Sequence, residues 1–172
     1  MGQPEDRVIA EMTQYLQDFV EVPHPAFNQL PVCPFARKAR LGEAIMFRVC
    51  VFNQDGLIPN SELMHMVTAF TQDENSEILV VIHPEKNALS VSEMETFVEA
   101  LNLTLAPLDL MGFGGHPQDT FNIQGTYTRR SSYPHLSIQS VPYLEKAKGS
   151  LQQTGYYRNW TPANLEAVGF LK

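Results

Sequence analysis

Apolar residues recur at intervals of three and four in several parts of the chain, a pattern typical of amphipathic helices. The spacing of Val8, Met12, Leu16 and Phe19 predicts a first helix over roughly residues 5–21. Further helices are predicted where a polar residue that can cap a helix precedes an apolar pattern of the same period. Their expected starts are Asn60 or Ser61, Ser90 or Ser92, Ser140-Pro142 and Thr161-Pro162.

Shorter apolar runs predict four strands, over residues 43–52, 77–82, 108–113 and 135–140. The second run is almost continuously apolar, which is typical of a strand that is buried on both faces. Helices separate the first three strands, so we expect one α/β domain over residues 1–172. Its sheet should be small, mixed or mostly parallel, with about four strands flanked by helices. The proline-rich residues 23–34 are predicted to be irregular.

Composition and charge narrow the functional classes. The chain has 44% hydrophobic and 18% charged residues, as an ordinary globular protein does. Its net charge of −7 argues against nucleic acid and against an anionic membrane surface as partners, because both require a basic face. Neither a membrane-spanning run nor a signal peptide is evident in the sequence. We therefore expect a cytoplasmic protein with a small-molecule ligand, and a partner protein or a homo-oligomer stays open.

Residues 112–134 form a long unpatterned connection that is rich in reactive and aromatic side chains. Such connections are often functional. His116 follows the third predicted strand and His83 the second, so both should lie at the carboxyl edge of the sheet, where α/β folds bind ligands. With Asp119 they supply residue types that bind zinc or non-haem iron, unless they simply form hydrogen-bonded turns. Structural or solvent-exposed roles are expected for the other histidines: His24, His65 and His135.

Cys33 lies between two prolines and precedes three cationic side chains. Nearby positive charge lowers the pKa of a thiol and favours the thiolate, which can act as a nucleophile or a metal ligand. Guanidinium groups bind carboxylates and phosphates, and tyrosine rings can stack on a planar substrate, although these cations could equally be solvated surface charges. The residues expected to bind substrate are Arg37, Arg129, Arg130, Tyr127 and Tyr133.

Four segments occur in a characteristic order: Cys33-Pro34-Phe35-Ala36, the strand that ends in His83-Pro84, the His116-Pro117 turn, and residues 127–134. Together they resemble the bacterial domain-of-unknown-function family 1415, in which a Cys-Pro-Phe-Ala motif and a His-Pro turn precede a Tyr-Thr-Asn-Arg-Ser-Pro-Tyr-Pro-like motif. Here Arg129 stands in place of the Asn and Ser132 in place of the first Pro of the last motif, whose final Pro is kept as Pro134. The resemblance therefore implies a divergent member, and it brings no established reaction.

The leading hypothesis is a small enzyme that acts on a small, anionic metabolite. Cys33 would be its nucleophile or a metal ligand. His116, oriented by Asp119, would be the general base or a ligand, and Arg129 or Arg130 would hold the substrate. In a metal-dependent version the cofactor would be a divalent zinc or iron ion. The alternative is a non-catalytic accessory or ligand-binding module that assists a partner enzyme, with Cys33 buried.

Overall fold

The main sheet has four strands, and two pairs of very short strands form hairpins outside it. The computed structural model describes residues 2–170, with the backbone alone for residues 55 and 56. The predicted α/β class is confirmed, because the four strands predicted from the sequence make up this sheet. The strands are β1 (Pro23–His24), β2 (Leu30–Pro31), β3 (Ile45–Val49), β4 (Ile78–Ile82), β5 (Leu110–Gly115), β6 (Asn122–Ile123), β7 (Thr126–Tyr127) and β8 (His135–Ser140).

Helices flank both faces of the sheet. All four expected caps are present. The Ser61 and Ser140 hydroxyls accept hydrogen bonds from the N–H groups of Met64 and Tyr143. Ser90 and Thr161 form capping boxes with Glu93 and Asn164. None of the helices within residues 2–170 is long and apolar enough to cross a membrane. The helices are α1 (Pro4–Tyr15), α2 (Ala36–Leu41), α3 (Glu62–Gln72), α4 (Val91–Leu105), α5 (Val141–Gln152) and α6 (Pro162–Ala167).

The sheet is mixed, with the strand order β3-β4-β8-β5. Strand β3 is parallel to β4, whereas β8 is antiparallel to both of its neighbours, β4 and β5. Strands β4 and β5 therefore point the same way, so the residues that follow them, His83 and His116, lie at one edge as expected. His135, the first residue of β8, lies at the same edge and pairs with Ile82 on one side and Gly115 on the other.

Each face of the sheet has its own hydrophobic cluster. On one face, residues such as Leu79 and Leu136 pack against α3 and α4. On the other face, the alternate residues Ile78, Val80 and Ile82 of β4 pack against Val8 and Met12 of α1. A third cluster joins the β1–β2 segment to the end of α5 and the residues after it. The space between the second and third clusters contains the candidate site.

The segment between α1 and Cys33 is more regular than its prolines predict. The first helix ends in a π-helical turn, Leu16–Val20, and is followed by the β1–β2 hairpin. The hairpin closes through Asn28 and Gln29, whose φ angles of 56° and 65° lie in the left-handed region. Helix α2 then begins two residues after Pro34. Local sequence patterns did not reveal these short elements, because they depend on tertiary contacts and on unusual backbone angles.

The close approach of β5 to His135 gives a test of the sheet register. A Cβ atom on Gly115 would lie 2.0 Å from Cε1 of the His135 ring, so Gly115→Ala forces the ring or the strand to move. We expect the free energy of unfolding to fall by about 1–3 kcal/mol, as overpacked cores show. Gly149→Ala is the matched control, since a Cβ there meets no atom within 4 Å and alanine favours a helix. Urea unfolding measures both variants, and an unchanged value for Gly115→Ala would contradict the register.

Candidate ligand-binding cavity

A cavity of about 300 Å³ lies against the sheet face that α1 partly covers. Its floor consists of His135, Ser137 and Gln139, which alternate along β8, beside Ile78 and Val80 of β4. Most of the other lining residues are apolar or aromatic and come from the first helix, the Cys33 segment, α5 and the residues that follow α5. Small-molecule sites commonly have such an apolar lining with a few convergent polar groups, and this volume is at their lower limit.

Arg129 supplies the charged group at the cavity wall. Its Cζ atom lies 4.0 Å from the ring centre of Phe121 and 5.8 Å from that of Phe113. Burial lowers the pKa of this guanidinium, and the Asp119 and Tyr15 side chains partly oppose the shift. Within residues 2–170 the guanidinium makes neither a hydrogen bond nor an ion pair. Its N–H donors are therefore available to an anion in the cavity.

Backbone contacts hold Arg129 at this position. The Arg129 carbonyl accepts a hydrogen bond of 3.0 Å from the N–H of His116, directly after β5. The Tyr15 hydroxyl donates a 3.0 Å bond to the carbonyl of Thr128. The last residue of α1 and the end of β5 thus fix the two residues that bring the guanidinium to the wall.

Cys33 also lines the cavity, in a segment that is held by hydrogen bonds to the end of the first helix and to a tyrosine after α5. Its backbone N–H donates to the Val20 carbonyl at 3.0 Å, and the Tyr156 hydroxyl donates to the carbonyl of Val32. The surrounding protein covers most of the thiol, yet Cys33 retains some accessible surface, as a residue that lines a partly open cavity does.

The pKa of Cys33 is raised, whereas the cations after it in the sequence predicted that it would be lowered. Burial is the main cause, and hydrogen bonds from the backbone of Phe35 and Ala36 only partly offset it. The cations do not act on the thiol as expected. Arg40 forms two hydrogen bonds with the Glu21 carboxylate, at 2.7 and 2.9 Å. Arg37 and Lys38 are exposed on α2 and do not line the cavity.

His135, for which the sequence predicts a structural or solvent-exposed role, faces the cavity. Its Nδ1 atom lies 2.8 Å from the Ser131 hydroxyl and 3.2 Å from the carbonyl of Tyr133. The Ser131 hydroxyl itself donates to that carbonyl, so a proton on Nδ1 satisfies both contacts and leaves Nε2 as an acceptor. Burial lowers the pKa of His135 to about 4, so the ring is neutral at physiological pH. The signal in the sequence was the polar–apolar alternation of β8, His-Leu-Ser-Ile-Gln-Ser.

Further polar groups around the cavity have no partner. The indole N–H of Trp160 is buried without a hydrogen bond, and the Ser137 and Gln139 side chains make none with the part of the chain that the structure describes. Buried polar groups are normally satisfied by protein, water or ligand. A ligand with oxygen or nitrogen atoms would therefore find both donors and acceptors here.

His83 and His116 belong to the opposite side of the sheet. The His83 ring is edge-on to Phe52, at 5.2 Å, and its Nδ1 accepts a hydrogen bond from the backbone N–H of Glu85. The Nδ1 atom of His116 accepts from the N–H of Gln118, and its Nε2 lies 2.6 Å from the Leu89 carbonyl. Both rings thus form hydrogen-bonded turns, which was the alternative to a ligand role.

The predicted metal ligands are not grouped into a site. In residues 2–170, no three His, Cys, Asp or Glu side chains are arranged so that they could hold a metal ion. Asp119 uses Oδ1 to accept a 2.8 Å hydrogen bond from the N–H of Phe121. The structure therefore does not bring His83, His116 and Asp119 together as a ligand set, and it places His116 outside the cavity that Cys33 lines.

The remaining predicted substrate-binding residues also lie outside the cavity. Arg130 is exposed, with its Cζ atom 3.5 Å from the ring centre of Tyr127 and its Nε donating to the Asp119 carbonyl. Tyr133 is buried in the hydrophobic cluster under α1. Of the residues singled out from the sequence, Cys33 and Arg129 line the cavity.

The raised pKa predicts a slow thiol at Cys33. Each pKa unit above that of a free thiol lowers the thiolate fraction about tenfold. We therefore expect iodoacetamide to alkylate Cys33 at least about tenfold more slowly than free cysteine near neutral pH, as measured by mass spectrometry. Burial also raises the pKa of Cys50, to about 11. The variant Cys50→Ala reports the alkylation of Cys33 alone, and Cys33→Ala reports that of Cys50 alone. Alkylation of Cys33 as fast as that of free cysteine would instead support its predicted role as a nucleophile.

The neutral His135 predicts a pH dependence of stability. Its pKa falls from 6.5 to about 4 on folding, so between these values the unfolded chain binds a proton that the folded chain does not. The free energy of unfolding should thus decrease as the pH falls from 6.5 towards 4, by at most about 3 kcal/mol from this group. His135→Asn keeps a donor for the Tyr133 carbonyl but does not titrate, so its free energy of unfolding should decrease less over the same pH range. The control is His65→Asn, which makes the same change at an exposed histidine. If the free energy of unfolding in urea varied with pH equally in wild type and in His135→Asn, the burial of His135 would be contradicted.

Comparisons with protein-family models, with curated proteins and with solved structures found no match to the chain. The resemblance to the bacterial domain-of-unknown-function family therefore stays a prediction based on four short segments. The function of the chain has to be argued from the cavity itself and from the side chains that line it.

Proposed function

We propose that this is a cytoplasmic protein that binds a small organic anion in the cavity, with Arg129 as the anion-binding group. The observation that carries the proposal is the enclosed guanidinium of Arg129, which has no ionic partner in the described residues although it lines an apolar cavity. Removing a charge from water costs several kcal/mol unless a counter-charge and hydrogen bonds compensate. A ligand anion would supply both.

The contacts of Arg129 favour a carboxylate or a similar oxyanion. One face of the guanidinium lies over the ring of Phe121, so its N–H donors remain free at the edges of the plane. Two parallel hydrogen bonds from those edges match the two oxygens of a carboxylate. The apolar lining suits a ligand whose remaining atoms are largely hydrocarbon.

An enzyme that acts on the bound anion is the second candidate. It is favoured by a specific observation, that Cys33 and His135 line the same cavity as Arg129. The raised pKa of the thiol opposes it, because the thiolate is the nucleophilic form. Binding without catalysis is therefore the better-supported function, and the alkylation rate of Cys33 distinguishes the two.

Substitution of Arg129 tests the proposal. Arg129→Met removes the charge and keeps an apolar stem, and we expect it to weaken binding of the fluorescent anion 8-anilinonaphthalene-1-sulfonate. Hydrogen bonds to a charged group contribute about 1.5–3 kcal/mol, which corresponds to a loss of roughly 10-fold to 150-fold in affinity. Arg130→Met is the matched control, since it makes the same change at an exposed neighbour outside the cavity. We expect its affinity to stay within about twofold of wild type.

Stability measurements separate lost binding from lost folding. Arg129→Met removes a charge that has no salt-bridge partner. We therefore expect the free energy of unfolding of the ligand-free variant, measured in urea, to be about 1 kcal/mol higher than that of wild type. If the folded Arg129→Met protein bound the probe as tightly as wild type, Arg129 would not be the anion-binding group and the proposal would fail.

A further inference from the structure

The floor of the cavity has two distinct ends along β8. His135 and Gln139 are four residues apart, which in an extended strand is about 13 Å. Arg129 lies at the His135 end: after burial, its charge further lowers the pKa of His135, and the ring of Phe113 beneath it pairs in register with Ser137. Gln139 is at the far end of the floor.

Cys33 lies at the Gln139 end. Helix α5 starts directly after β8, and the Tyr143 N–H donates to the Ser140 hydroxyl there. The helix that directly follows the Cys33 segment, α2, packs Ala39 in the same cluster as Ile78, and Ile78 lies beside Gln139 because Leu79 pairs with Ile138. Cys33 and Tyr143 both line the cavity at this end.

A continuous aromatic wall joins the two ends. The Arg129 guanidinium lies over Phe121, whose ring centre is 6.0 Å from that of Trp160. Trp160 is in turn 5.7 Å from Tyr156, and the Tyr156 hydroxyl donates to the carbonyl of Val32, next to Cys33. One long side of the cavity is therefore aromatic from the cation to the thiol, and it includes the buried Trp160 N–H, which has no hydrogen bond within residues 2–170.

The far end combines this aromatic wall with a polar side chain that stays accessible in the cavity. The amide of Gln139 lines the cavity and has no hydrogen-bond partner within residues 2–170. An extended chain advances about 1.1–1.2 Å per bond, so the distance along the floor corresponds to roughly eleven bonds. A ligand that contacts both ends thus needs a chain of about ten carbons between its polar groups.

We propose that the ligand is a bipolar alkyl carboxylate, with its carboxylate on Arg129 and a hydroxyl or similar neutral polar group on Gln139 beside Cys33. The hydrocarbon chain packs along the aromatic wall between them. This assignment rests on the proposed function, because it takes Arg129 as the anion-binding group. It adds the length of the ligand and the chemistry of its far end.

Displacement of bound 8-anilinonaphthalene-1-sulfonate by ω-hydroxydecanoate and by decanoate tests the far end. We expect wild type to bind the hydroxy acid at least about tenfold more tightly, since decanoate leaves the Gln139 amide unsatisfied. Gln139→Leu should abolish or reverse this preference. Equal binding of the two acids by wild type, or an unchanged preference in Gln139→Leu, would overturn the assignment.

A second measurement needs no variant and tests the length of the ligand directly. At concentrations that displace the probe equally, ω-hydroxydecanoate should slow the alkylation of Cys33 at least about threefold, because its far end covers the thiol. Butyrate, which reaches only the Arg129 end, should leave the rate unchanged. Equal protection by both acids, or none by the longer one, would overturn the proposed orientation. Failure of the proposed function has a different signature, which is probe binding that does not depend on Arg129.

Discussion

The register of β8 is the constraint on which both the core and the cavity depend. This strand pairs with β4 on one side and with β5 on the other, and its side chains alternate between the two faces. Leu136 and Ile138 enter the core under α3 and α4, while His135, Ser137 and Gln139 face the cavity. A shift of one residue would place these polar groups in the core and the two aliphatic side chains in the cavity.

Strand β5, which pairs with β8, makes close contacts on both faces of the sheet. On the α4 side, the Asn102 side chain forms two hydrogen bonds with the N–H and the carbonyl of Gly112. These bonds satisfy backbone groups that an edge strand would otherwise leave unpaired. A Cβ atom at Gly114 would lie 2.8 Å from Val98, so the missing side chain lets α4 pack closely. On the cavity side, Gly115 leaves room for the His135 ring. Close helix packing and the position of the histidine are therefore properties of the same short strand.

Sequence patterns predicted the elements of this fold better than they predicted the site. The four main strands and most of the helices follow from local periodicity and caps, which are properties of a few adjacent residues. The position of His83 and His116 at one edge also followed, because parallel strands end together. Which face those side chains occupy depends on the antiparallel insertion of β8, a long-range pairing that no local pattern encodes. Similarly, the raised pKa of Cys33 comes mainly from its burial in the folded chain, and Arg40, one of the cations after it, is paired with Glu21.

The electrostatics of the cavity explain why a single arginine can select the charge of a ligand. Burial shifts the neighbouring titratable groups towards their neutral forms, lowering the pKa of His135 and raising those of the thiol and of the tyrosines. Lys148, the other cationic residue in the described lining, is paired with Glu145 at 2.9 Å. The guanidinium of Arg129 thus has no salt-bridge partner within the described residues, although the Asp119 carboxylate acts on it from farther away, and in surroundings of low polarity electrostatic interactions are stronger than in water. The same burial that makes the empty cavity energetically unfavourable for Arg129 favours an anionic ligand over a neutral one of equal shape. The groups with raised pKa are Cys33, Tyr15, Tyr143, Tyr156 and Tyr157.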